Sequence, residues 1–218
     1  LISRIVERFE DCSVGLSVGE RNYSTYKKYF FAGADTYILK HKTANKNHFK
    51  KLHPSNSGIE ERIACLNNLK EIGFSIGSGI MVDSPDQTIE YLLEDIMLLK
   101  DIEPEIINIS SYIPYQDTNF KNKSDKVLNL ILNIISIVRI ILPNSYICCS
   151  NTIALLNSDA INLSLESGAN MINVNISPDK AKNLYTTYCK PINYTKFDNV
   201  ENIITLLENL GYTAKFNM

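Results

Sequence analysis

The 218-residue sequence predicts an α/β fold: an incomplete (β/α) barrel of the TIM type, with about six parallel βα units and the first two missing. Three observations predict it. First, a helical stretch, a glycine and a short β-branched strand recur as one unit. Ala32-Gly33-Ala34-Asp35 leads into Thr36 to Leu39, and Glu71-Ile72-Gly73-Phe74 into Ser75 to Met81. Ser167-Gly168-Ala169-Asn170 leads into Met171 to Val174, and Asn209-Leu210-Gly211 into Tyr212 to Phe216. Glycine suits that joint because it takes the left-handed conformation that turns a helix end back toward a strand. Second, the units are roughly 25 to 40 residues long, which is the spacing of parallel strands joined by right-handed crossovers. Third, no glycine-rich phosphate fingerprint follows any strand, so a doubly wound dinucleotide fold loses its main support.

Taken in order, Leu1 to Phe9 is already in helical period with no cap before it, and residue 1 is Leu rather than Met. The expectation is that more of the barrel lies upstream. Strands are predicted near 13–18, 36–40, 74–81, 106–111, 146–149 and 171–174. Helices fall near 22–32, 59–72, 88–100, 125–141, 158–167, 178–188 and 199–210. Ser57-Gly-Ile-Glu60 is a capping-box pattern, Thr88 precedes an apolar run, and Ser177-Pro178-Asp179 puts Pro at a first helical position. The apolar stretch Val127 to Leu142 is shorter than the roughly 18 to 20 residues of a membrane span. Asn129, Asn133, Ser136 and Arg139 interrupt it, so it reads as a helix buried between the sheet and its neighbours. The whole of 1–218 reads as a single domain.

Composition narrows the function classes. With 22 basic and 24 acidic side chains, the net charge of −2 argues against a nucleic-acid partner. Five cysteines, at 12, 65, 148, 149 and 189, form no paired framework; they read as buried thiols of a reducing, cytoplasmic protein. No signal peptide and no membrane segment is visible.

In a βα barrel the chemistry sits where strands run into loops. Those positions are Ser17 to Glu20, His41 to Asn45, Met81 to Pro85, Ser110 to Tyr115, Cys148 to Thr152 and Asn173 to Pro178. His41, His48 and His53 are spaced seven and five apart, which suits no single helix or hairpin face, so capping and surface roles outweigh a metal site. Cys148 and Cys149 alternate on a strand, which leaves one in the core and argues against a redox pair.

Leu39-Lys-His-Lys-Thr-Ala-Asn45, Lys51-Leu-His-Pro54, Glu61-Arg62 and Cys65-Leu66 occur in an order that resembles the radical S-adenosylmethionine (radical SAM) superfamily, nearest to its HydE-like and biotin-synthase-like members. Gly77-Ser-Gly-Ile-Met-Val82, Pro85-Asp-Gln-Thr88, Ile113-Pro114, Asp117-Thr118, Leu142-Pro143, Asn175-Ile-Ser-Pro178 and Leu184-Tyr185 continue the series. The resemblance implies S-adenosylmethionine and a 4Fe-4S cluster as cofactors, hydrogenase maturation among the nearest relatives, and a small-molecule substrate inside the barrel. It also implies a Cys-x3-Cys-x2-Cys loop, which this sequence does not contain; that loop is expected upstream of Leu1. Partners would then be that upstream segment, or a second copy pairing through open sheet edges near 13–18 and 171–174.

Residue by residue, the resemblance gives Arg62 the cofactor's carboxylate, with an ion pair to Glu60, Glu61 or a neighbour on its own helix as the alternative. Met81 matches an apolar residue beside the adenine, or is simply core. Ser17 and Glu20 end the strand that flanks the cofactor, or are only a solvated rim. Tyr185 matches an aromatic region late in the barrel, or packs. No catalytic residue is assigned. Lys42 stands where the family carries an acidic residue against the cofactor, replacing attraction for a sulfonium and an ammonium by repulsion. Asp83-Ser-Pro-Asp-Gln-Thr88 replaces a Gly-Leu-Pro-Gly-Gln-Thr pattern and loses both glycines. Ser110-Ser-Tyr-Ile-Pro-Tyr115, Ser150-Asn151 and Ala181 depart as well. Two readings follow: a HydE-like radical SAM protein, or a non-catalytic binding or scaffold module that kept the barrel's packing.

Overall fold

The computed structural model describes residues 1–54, 58–114, 127–154, 156–157, 159–174, 176–178 and 200–216. Along them the chain runs α1 (Ile2–Arg8), β1 (Gly15–Leu16), α2 (Tyr23–Phe31), β2 (Thr36–Ile38), α3 (Lys46–Leu52), α4 (Ile59–Ile72), β3 (Ser75–Val82) and α5 (Ile89–Ile102). It continues through β4 (Ile106–Ser111), α6 (Val127–Ile141), β5 (Tyr146–Cys149), α7 (Asn151–Ala154), α8 (Ala160–Glu166), β6 (Met171–Ile172) and α9 (Val200–Asn209).

Local chemistry sets many of these boundaries. The side chains of Asn22, Asn45 and Thr88 accept the backbone N–H of Thr25, His48 and Tyr91, which starts α2, α3 and α5. All four glycines of the recurring unit have positive φ, from 79° at Gly211 to 113° at Gly168. α4 starts after Gly58, which gives no side-chain cap, and Ser57 of the capping-box pattern lies outside the described residues. The predicted helix at 178–188 also lies outside them, apart from Pro178.

The strands form one parallel sheet in the order β1-β2-β3-β4-β5-β6. A doubly wound sheet would reverse its order at a switch point; chain order throughout is the arrangement of a barrel wall. Alternate strand residues belong to the core. Leu39 of the β2 end, with Tyr37, Ile76, Ile80, Val82, Ile107, Ile109, Ile147 and Cys149, packs against Leu66, Leu69, Ile96, Leu99, Ile131, Ile135 and Leu165 from the helices. The other parity, including Gly77, Gly79, Met81, Asn108, Ser110 and Cys148, lines the face away from the helices. A Cβ at Gly79 would fall 2.0 Å from the Asn108 carbonyl oxygen, so β3 and β4 close up there only because residue 79 has no side chain.

The core has two parts. Around β1 and β2 it is aromatic, with Tyr26, Phe30, Tyr37 and Phe74 meeting edge-to-face at centroid distances of 5.1 to 5.8 Å. Around β4 and β5 it is aliphatic and includes α6, whose buried Val127, Ile131, Ile134, Ile135 and Val138 bear out its assignment as a helix against the sheet. Among the described residues no helix is long and apolar enough to cross a membrane. The two outermost strands are shorter than read from sequence, two residues each instead of 13–18 and 171–174.

Candidate functional site

The ends of β1 and β2 and the start of α4 converge on Arg62. Its side chain is buried and its Nε donates to Glu20 Oε1 at 2.6 Å, with Nη2 closing on the same oxygen. Nη1 donates to the Lys40 carbonyl at 2.9 Å, and the guanidinium lies over the Phe49 ring, 5.2 Å from its centroid. The partner is therefore Glu20, 42 residues away, and not a neighbour on the same helix; Glu60 instead pairs at the surface with Lys46. Burial alone would raise the Glu20 pKa, but a backbone hydrogen bond and Arg62 together hold it below the ordinary value.

Lys42 stands beside this pair. Its φ is +67°, its N–H donates to Gly79 O at 2.9 Å, and its carbonyl accepts Met81 N–H at 3.0 Å, so an isolated bridge pins it to β3. Its Nζ donates to His53 Nε2 at 3.1 Å. His53 Nδ1 faces the Phe49 carbonyl at 3.3 Å and the ring stacks on Phe49 at 4.6 Å. Burial, then Lys42, pushes the His53 pKa down to about 4, which leaves a neutral ring as acceptor. Burial, with Arg62 and Lys40 adding repulsion, also lowers the Lys42 pKa. Lys40 is half-buried on the inner face, its pKa lowered by burial. Among the described residues no carboxylate pairs with Lys40 or Lys42, and Glu20, paired with Arg62, attracts Lys42 as well.

Met81 is half-buried on the same face, and its carbonyl accepts from Gln87 Nε2 at 2.9 Å. Gln87 Oε1 in turn accepts the Asp83 N–H at 2.8 Å, so one side chain holds the loop after β3 closed. Ser17 is exposed beyond the end of β1, without a hydrogen bond to the Arg62 cluster. Tyr185 lies outside the described residues. Of the residues singled out from sequence, the structure brings together Glu20, Lys42 and Arg62. It adds Lys40, Phe49 and His53, which sequence reasoning missed. The signal was present, since Phe49 and the His53 that caps its helix are four apart, but that helix was not recognised.

The histidines are not surface residues. His41 and His48 are buried and hydrogen-bonded, His48 between Thr43 Oγ1 at 3.0 Å and the Pro85 carbonyl at 2.9 Å. Among the described residues no group of three metal-ligating side chains occurs. Cys148 and Cys149 are buried, with pKa pushed up to about 11 and about 12 by burial, so both are thiols at neutral pH. Cys149 packs in the aliphatic cluster against the helices, and Cys148, on the opposite face of the strand, is fully buried as well, so alternation separates their faces but leaves neither exposed.

No protein-family model matches the chain. The chain is 34% identical over 215 residues to the FeFe-hydrogenase maturase subunit HydE of Thermotoga maritima, covering 97% of this chain and 62% of that protein. It is 28% identical over 169 residues to biotin synthase of Ehrlichia chaffeensis, covering 76% of this chain and 50% of that protein. Its structure matches that of methylornithine synthase (PylB) with a TM-score of 0.81 at 21% sequence identity, over 99% of this chain and 62% of the other. The chain thus spans between half and two thirds of the length of these proteins.

Proposed function

We propose, for a chain that belongs to the radical SAM superfamily as a HydE- and biotin-synthase-like member, that it supplies the part of a cytoplasmic radical SAM protein that holds the amino-acid end of S-adenosylmethionine. The whole protein would carry out adenosyl-radical chemistry on a small sulfur-containing or amino-acid-like substrate, in hydrogenase maturation as its HydE relative's name states. The observation that carries the reading is the pair of buried Arg62 with half-buried Glu20 at the strand ends. A guanidinium and a carboxylate side by side offer bidentate donors for an α-carboxylate and an acceptor for an α-ammonium. A 4Fe-4S cluster does not fit the described residues: Cys65, Cys148 and Cys149 are buried, Cys12 is exposed, and no three ligands converge. No step through a cluster is derived for this chain.

Equilibrium binding of S-adenosylmethionine by the chain tests the reading. Arg62→Ala and Glu20→Gln are each expected to weaken it at least tenfold, with the fold monitored by circular dichroism; undiminished binding in folded Arg62→Ala defeats the proposal.

Lys42 favours the second reading, a non-catalytic binding or scaffold module. Together with Lys40 it leaves the strand ends with surplus positive charge, which opposes a ligand bearing a sulfonium. Lys42→Glu should tighten S-adenosylmethionine binding by about tenfold or more, on the order of the Coulomb energy of one such contact at the protein surface. Unchanged affinity would place Lys42 outside the ligand's reach. Anaerobic reconstitution of the full-length product with iron and sulfide separates the two readings. Neither a 4Fe-4S signal nor S-adenosylmethionine cleavage would leave the scaffold standing.

A further inference from the structure

On the buried face of α5, between Leu92, Ile96 and Leu99, stands an aspartate, Asp95, with no solvent exposure. It faces His41, equally buried, across 3.9 Å from Oδ1 to Nε2, too far for a direct hydrogen bond between those atoms. Asp95 Oδ1 accepts the Ala44 N–H, with the Thr43 hydroxyl contributing. His41 Nε2 and Asp95 Oδ2 are buried and, among the described residues, have no partner. Two orphaned polar atoms on facing side chains are costly unless something joins them.

The hydrogen bonds determine what joins them. The Ser78 hydroxyl has one proton, which it donates to Leu39 O at 3.2 Å; its oxygen therefore accepts from His41 Nδ1 at 2.9 Å. With its proton on Nδ1, a neutral His41 turns the lone pair of Nε2 toward a carboxyl group. Lone pair against carboxylate is repulsive, and the second proton of an imidazolium would add a cation near Arg62 in a fully buried site.

We infer that His41 and Asp95 hold a single proton between them, carried by the Asp95 carboxyl opposite the Nε2 lone pair of a neutral His41, and that this neutral couple, with Asp95 Oδ1 on the Ala44 N–H, fastens the 41–45 loop to α5. Asp95 is thereby a positioning residue for Lys42, which sits between the two residues the couple holds. The groups facing the couple agree. Burial raises the Asp95 pKa to about 7, with Glu94 on its own helix adding to the rise while Ala44 and Thr43 oppose it. Burial and Arg62 from α4 depress that of His41. Burial also lowers the pKa of His48, which hydrogen-bonds Thr43 of this loop.

The inference sets the direction in which stability changes with pH. In the unfolded chain the carboxylate ionises near pH 4, in the native one near pH 7. Its contribution to stability is complete below about pH 4 and is lost as pH rises toward about 7. Asp95→Asn keeps an oxygen for the Ala44 N–H and offers an N–H to His41 Nε2, so it imitates the protonated form at every pH. Urea unfolding of the chain and of Asp95→Asn between pH 5 and pH 8 tests this. The unfolding constant of the wild type relative to the variant should rise with pH by up to about tenfold per unit, then level off above about pH 7. A ratio that stays flat or falls as pH rises means a native couple that holds no extra proton, and overturns the inference. An ion pair would hold the same single proton and give the same rise, so nitrogen-15 NMR of the wild type locates the proton, and it also decides should Asp95→Asn fail to fold. An imidazolium signal from His41 at pH 6 overturns the inference and a neutral Nδ1–H tautomer upholds it. Asp95→Ala supplies neither donor nor acceptor and should be less stable than Asp95→Asn throughout.

Discussion

Asp83 and Asp86 hold φ of 65° and 60° in the loop after β3. These are the positions at which the resemblance leads one to expect glycine, so the side chains have changed while the left-handed backbone has stayed. Aspartate is among the few non-glycine residues that tolerate this conformation. Asp86→Val should therefore reduce the folding equilibrium constant about tenfold, and Asp86→Gly should leave it nearly unchanged, as thermal unfolding would read. A single residue can be legible in type and hidden in partnership. Arg62 and Glu20 each stood out as candidate binding residues, but with Glu60 and Glu61 beside Arg62 nothing in the sequence marked Glu20 as its partner. His41 and His48 looked like capping or surface side chains because nothing in one sequence reveals that β3 and α5 close over them.

Elements were read best where a local cause sets them. Glycine joints, the Thr88 cap and the long apolar pattern of α6 are such causes and all three stand, except that the joint at Gly211 runs into Tyr212 to Phe216 without forming the strand expected there. α3 escaped notice because Lys-Asn-His-Phe-Lys-Lys-Leu has few apolar residues and its cap, Asn45, closes a loop segment read as strand-end chemistry. The edge strands were read too long because alternation continues after pairing has stopped. α6 carries a quantitative test. Ile135 is fully buried in the aliphatic core, so Ile135→Ala should cost about 2–5 kcal/mol in urea unfolding, and a cost below 1 kcal/mol would mean that α6 packs more loosely than its burial implies.

At the scale of the molecule, the recurring unit was enough to anticipate six parallel strands in chain order and the likeness to a barrel wall. Among the described residues β1 and β6 each pair on one side only. Unpaired edges of a parallel sheet are templates for further strands. The chain on its own is expected to self-associate through them, and sedimentation giving a clean monomer would mean that those edges are covered. Pairing is also uneven along the sheet: six residues of β3 are in register with β4, while β1 and β6 are each held by two. Every strand leans on its immediate predecessor in the chain, so the sheet can be laid down one strand at a time as the polypeptide leaves the ribosome. It should also come apart from its margins, with amide hydrogens exchanging fastest in β1 and β6 and most slowly where Gly79 lets β3 and β4 close together.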